Sequence, residues 1–144
     1  MENILKSKLI GSWDLLSFQS ISDEGVVSYP LGQDARGILM YSEDWCVAVN
    51  IMTSHRASQV DRSFFLDGQL RYLDLPYLSY TGTYSIDAGR PSVTHLVEVC
   101  IYPEWIGQKQ LRLIKWNAAA LELSSDGTVG PDQAKFRLLW RRKI

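Results

Sequence analysis

The sequence predicts an all-β fold, an eight- or nine-stranded antiparallel up-and-down barrel with a short N-terminal helix at one end and a lid segment at the other. Three observations predict it. Short runs rich in Val, Ile, Leu, Tyr and Thr recur along the 144 residues, each bounded by turn residues. Most connections are so short that consecutive runs must be antiparallel neighbours. Eight or nine such strands can form a sandwich or an up-and-down barrel; the runs after Gly37 and Trp45 are apolar on both faces, and closing a sheet on itself removes the exposed edges such strands would leave. A chain of this length buries roughly two-thirds of its unfolded surface, enough for one core, so residues 1–144 are expected to form one domain.

The elements follow in order. Residues 2–9 carry Leu5 and Leu9 four apart, the spacing of a short amphipathic helix. Strands are predicted near 10–20, 25–30, 36–42, 45–53, 78–86, 93–102, 109–116, 119–124 and 134–142. Asp23-Glu24-Gly25, Glu43-Asp44 and Asp87-Ala88-Gly89-Arg90-Pro91 read as tight turns, and Ser125-Asp126-Gly127 with Gly130-Pro131-Asp132 as a longer loop. Residues 54–77 are the longest interruption: a polar loop, then a short helix carrying Leu66, Leu70, Leu73 and Tyr77 at helical spacing. This segment is expected to lie over one mouth of the barrel.

Composition narrows the function. With 15 Lys plus Arg against 16 Asp plus Glu, the chain lacks the basic excess that nucleic acid requires. No apolar run approaches the ~18 residues of a membrane span, and the N-terminus has no signal-peptide block. Cys46 and Cys100 have no metal-ligand spacing and read as reduced thiols packed as small apolar residues, which suits the cytoplasm. Two histidines exclude a histidine-rich metal site, and there is no phosphate-cradling glycine loop and no G-x-S-x-G elbow. No metal and no cofactor are expected. Five Trp, seven Tyr and four Phe are many for this length and must line a core or a pocket.

Strand alternation assigns faces. Gly11, Trp13, Leu15 and Ser17 are read as inward, opposite Asp14. Tyr80, Gly82, Tyr84 and Ile86 share a second inward face. Val93, His95, Val97 and Val99 oppose Glu98, so His95 also points in. On 109–116, Gln110, Arg112, Ile114 and Trp116 oppose Leu111, Leu113 and Lys115, and parity alone leaves the inner face open.

Gly11-Ser12-Trp13 opens the first long strand. It is followed by Tyr29-Pro30-Leu31-Gly32 with Gly37-Ile38-Leu39-Met40-Tyr41, by Tyr80-Thr81-Gly82-Thr83-Tyr84, by Thr94-His95-Leu96-Val97-Glu98, and by Pro103-Glu104-Trp105-Ile106-Gly107 running into Gln110-Leu111-Arg112. In this order the series resembles the bacterial and fungal lipocalin-like domain family, from Leu9 to Trp140. The resemblance implies a barrel with a cavity, with Trp13 plugging the closed end and Arg112 facing inward. It names no reaction, because members occur in many contexts, natural-product gene clusters among them. The chain departs from the pattern at Trp45, where many relatives carry Gly.

Within such a barrel the expected catalytic residues are His95, Tyr84 and Arg112. His95 would move a proton, its ordinary pKa lying near neutrality. Tyr84 and Arg112 would polarise a ligand oxygen. Tyr41 and Tyr80 would offer hydrogen bonds and ring area to a ligand, and Trp105 and Trp116 would stack on it. Each residue also has a structural reading: a core imidazole, an internal ion pair, or plain aromatic packing. The expected function is binding of a largely apolar, oxygen-bearing small molecule inside the barrel, extended to a cofactor-free isomerase or cyclase of secondary metabolism. The alternatives are a non-catalytic carrier or sensor, and an interaction protein whose barrel is filled by its own rings. Neither nucleic acid nor a membrane is an expected partner, and a homodimer is compatible with the sequence.

Overall fold

A computed structural model of the chain describes residues 2–54, 77–125 and 135–143. Helix α1 (Glu2–Leu9) leads into β1 (Gly11–Ile21), β2 (Val27–Ser28), β3 (Arg36–Tyr41), β4 (Cys46–Met52), β5 (Tyr77–Asp87), β6 (Ser92–Cys100), β7 (Lys109–Asn117), β8 (Ala120–Ser124) and β9 (Lys135–Arg142). Every pairing is antiparallel, and neighbours in space follow the chain from β3 to β9. β9 then pairs back onto β1 from Trp13↔Arg142 to Ile21↔Lys135, closing an eight-stranded barrel, with β2 an extra short strand on β1. The predicted strands all form, and their ends lie close to those read from the turns. The lid expected over 54–77, with its helix, falls almost wholly outside the described residues, as does most of the loop after Ser125. Tyr77 is an exception, since it is the first residue of β5 rather than part of a helical stripe.

The closed end is built by α1. Leu9 is fully buried and Leu5 packs on the core. Trp13 lies beneath, donating its indole N–H to the Leu9 carbonyl at 2.9 Å, with Trp116 at 6.2 Å between ring centres. The Arg142 guanidinium covers the Trp13 ring at 4.2 Å and donates to the carbonyls of Ile10 and Lys8, so both chain ends meet on one ring. The remaining core consists of inward residues from every barrel strand, among them Leu39, Val49, Val97, Leu123 and Trp140.

Two bulges correct the facing read from alternation. The β1–β9 register shifts between Leu15 and Ser17, so Leu16 is exposed and Phe18, rather than Ser17, enters the core. The β5–β6 register shifts between Thr81 and Gly82, so Glu98 and Val99 both face out and Cys100 packs on the core. Val99, read as inward, is 67% exposed. The second bulge requires Gly82, because a Cβ there would collide with the Leu96 carbonyl. Cys46 is exposed rather than packed. Trp45 adopts φ 70, the left-handed region where a side chain costs about 1–2 kcal/mol and glycine costs nothing. Its ring offsets part of that strain by packing on Tyr84 at 5.2 Å and under the Lys6 ammonium at 3.9 Å.

Candidate functional site

The polar residues inside the barrel gather around His95. β5, β6 and β7 bring Tyr84, His95 and Gln110 side by side, since Tyr84 pairs with His95 and His95 with Gln110. His95 is 2% exposed. Its Nδ1 lies 2.6 Å from the Tyr80 hydroxyl, and its Nε2 lies 2.7 Å from the Tyr41 hydroxyl. Tyr41 comes from the end of β3, on the far side of β4, so this contact exists only because the sheet curls into a barrel. All three rings are in contact or nearly so, with Tyr41 and Tyr80 centred 5.5 and 5.8 Å from the imidazole.

Arg112 is the cation of this interior. It pairs with Val93 on β6 and shares its face with buried Gln110 and Ile114, which decides the inward side of β7. Its guanidinium donates to the Leu111 carbonyl at 3.0 Å and to the Gln110 side-chain carbonyl at 3.3 Å. No carboxylate among the described residues meets it. Among the described residues the structural reading of an internal ion pair therefore has no acid to support it, and the charge there meets neutral oxygens. Arg112 is only part-buried, so it remains reachable.

Burial and this charge set the protonation states. Burial, reinforced by Arg112, drives the His95 pKa down to about 3, so the imidazole is neutral at physiological pH. Burial raises Tyr80 to about 12 against the opposing pull of Arg112, and raises Tyr41 well above its ordinary value. All three groups are therefore uncharged at pH 7. They hold three exchangeable protons: one on each hydroxyl and one on the ring. They make two hydrogen bonds with one another. Whichever ring nitrogen carries the proton, one tyrosine accepts from the imidazole and keeps its own O–H free. Among the described residues no acceptor takes that O–H. Among the described residues the centre thus presents one spare donor in either tautomer, in the field of the Arg112 cation.

The other expected site residues fall elsewhere. Tyr84 stacks edge-on against Tyr41 at 4.8 Å, but its hydroxyl donates to the Ser42 carbonyl at 2.7 Å. Burial raises its pKa, with Asp44 and Cys46 adding to the effect, so its oxygen belongs to the 42–46 turn. Trp105 sits in a 3-10 turn, Pro103–Trp105, with its ring 6.3 Å from Tyr80. Trp116 belongs to the closed end, packed on Trp13 under the Lys8 ammonium at 4.2 Å. Gln110 was not singled out from sequence. Its shared face with Arg112 was the available signal, and it orients the guanidinium. Nothing in the sequence could announce the Tyr41–His95 contact, which spans 54 positions.

A separate groove of about 540 Å³ lies on the outer wall, over Asp14, Ile38, Asn50 and Met52, and it includes none of the residues around His95. Among the described residues no cluster of His, Cys, Asp and Glu could hold a metal ion, and no helix is long and apolar enough to cross a membrane. A family model described as a lipocalin-like domain matches residues 10–143. No curated protein matches the chain.

Proposed function

Because the chain belongs to the lipocalin-like domain family, whose barrel suggests small-molecule binding, we propose that it takes a largely apolar molecule bearing a carbonyl or enol oxygen and seats that oxygen between Arg112 and the spare tyrosine O–H. The observation that carries this reading is the Arg112 guanidinium, inward, unmatched by any carboxylate of the described residues, and close enough that its charge acts on the Tyr41 and Tyr80 hydroxyls held by His95. Donors held in place in a low-dielectric interior stabilise charge that develops on an oxygen. The extension is a cofactor-free isomerase or cyclase of secondary metabolism acting in the cytoplasm as one domain. Polarising that oxygen acidifies the neighbouring C–H and favours the enol, while Trp105 beside Tyr80 shapes the apolar part of the molecule. The carrier or sensor reading uses the same oxygen seat without turnover. Tyr84 serves this site through its ring, which supports Tyr41, rather than through its hydroxyl.

The test is a pair of probes of one shape: 2-tetralone, a bicyclic ketone, and tetralin, which lacks the oxygen. Tryptophan fluorescence titration should show the ketone binding about tenfold more tightly, the worth of one good hydrogen bond. Arg112→Met should erase the difference. Equal affinity for the two probes, or a preference unchanged in Arg112→Met, rejects the proposed oxygen seat.

A further inference from the structure

The arrangement of two tyrosines on opposite nitrogens of one imidazole does more than offer a donor. We propose that Tyr41, His95 and Tyr80 form a two-way proton relay, which makes the site a keto–enol tautomerase for ketones with an acidic C–H beside the carbonyl. The proposal rests on the oxygen seat described above and adds the path of the proton.

Consider the state in which Nδ1 carries the ring proton. His95 donates to Tyr80, Tyr41 donates to Nε2, and Tyr80 holds the spare O–H. A ketone whose oxygen meets Tyr80 and whose α-carbon lies by the Tyr41 oxygen can then react without any charged side chain forming. The Tyr80 O–H bond breaks as the ligand O–H bond forms. The Nδ1–H proton moves to Tyr80, and the Tyr41 proton moves to Nε2. The α-C–H bond breaks as its proton passes to Tyr41. The electron pair of that bond becomes the C=C bond of the enol, and the carbonyl π pair becomes a lone pair on oxygen. One proton has been given and one taken.

The protein ends as the mirror image of its starting state. The ring proton is now on Nε2, Tyr80 donates to Nδ1, and Tyr41 holds the spare O–H. Running the sequence backward restores it, as does release of the Tyr41 proton to water while Tyr80 takes one from water, with the ring proton shifting from Nε2 back to Nδ1. Both halves are neutral and each makes two internal hydrogen bonds. A neutral imidazole suits this role because it can accept at one nitrogen as it releases at the other. Either tyrosine alone on His95 would give a fixed donor. Two on opposite nitrogens give a wire with two ends.

Two measurements test the relay. The first needs no ligand: the ¹⁵N shifts of the His95 ring should show both neutral tautomers populated, with both nitrogens at intermediate positions. The second follows loss of the α-proton signal of 2-tetralone in D2O. The protein should speed this exchange, and Tyr41→Phe and Tyr80→Phe should each reduce the acceleration about tenfold or more. A single fixed tautomer overturns the relay. So does exchange that survives Tyr41→Phe, because one tyrosine would then suffice. Bound ketone with no accelerated exchange rejects the relay but leaves the oxygen seat standing. Absence of binding instead rejects the oxygen seat and the reaction built on it.

Discussion

Burial holds His95 far from the protonation its side chain has in water. Its folded pKa lies near 3, whereas the unfolded chain takes up a proton near 6.5. The depressed folded value means the neutral form is the one the fold accommodates. Its full contribution to stability is present above about pH 6.5 and is lost as the pH falls from there toward 3, because only the unfolded state binds the proton in that window. The slope is about 1.4 kcal/mol per pH unit for one such group. Urea denaturation at pH 7 and pH 5 should therefore show a steeper loss for the wild type than for His95→Gln, which cannot titrate. Equal losses would mean that His95 is reached by water and charges normally. The same neutrality corrects the simplest idea of His95 as an acid that cycles through imidazolium near pH 7. Any proton it handles at that pH must enter one nitrogen as another leaves its partner.

At the scale of the element, the bulge between β5 and β6 decides which side chains the site receives. β5 places Tyr80, Gly82 and Tyr84 inward, and β6 places Val93, His95 and Val97 inward, before the extra residue turns Glu98 and Val99 to the outside. Gly82 is what permits β6 to come so close. Gly82→Ala must push a methyl into the Leu96 carbonyl, which is backbone and cannot turn aside. The expected cost is about 3 kcal/mol, at the upper end for adding a methyl to a packed site. Gly89→Ala, in the adjoining turn, meets only the Asp87 carboxylate at 3.3 Å and should cost within about 0.5 kcal/mol. Denaturant midpoints of the two variants check this, and comparable midpoints would show that the strands part easily at the bulge.

For the whole molecule, closure gathers distant pieces onto Trp13. The ring is 1% exposed, capped by α1, stacked by Arg142 from the last strand and flanked by Trp116 from β7. Trp13→Ala should cost about 3–5 kcal/mol, the usual range for truncating a large buried ring. Because both chain ends rest on it, the loss should appear as one cooperative transition at a lower midpoint, followed by tryptophan fluorescence and circular dichroism together. A loss under about 1 kcal/mol would mean that α1 and β9 hold the end closed without the ring. The exposed Lys143–Asp14 pair at 2.9 Å adds little to that closure, since surface ion pairs are worth under about 1 kcal/mol.

The sequence by itself determined the strands and the pairing of those joined by short turns, and with the family resemblance it favoured the barrel over a sandwich. Turn residues are local signals, and short connections leave antiparallel neighbours as the only outcome. It also determined that His95, Tyr80 and Tyr84 share the inside, because alternation holds between bulges. It could not locate the bulges at Leu16 and Glu98, since a bulge depends on what the opposite strand allows, so Ser17 and Val99 were assigned to the wrong face. The inner face of β7 was likewise ambiguous until buried Gln110 and Ile114 marked it. Only the tertiary structure decided that the hydroxyl of Tyr41, rather than that of Tyr84, reaches His95. Both tyrosines project into the same interior, and which oxygen meets the imidazole depends on the curvature of the closed sheet. That curvature is a sum over all eight staves, and no local run of residues encodes it.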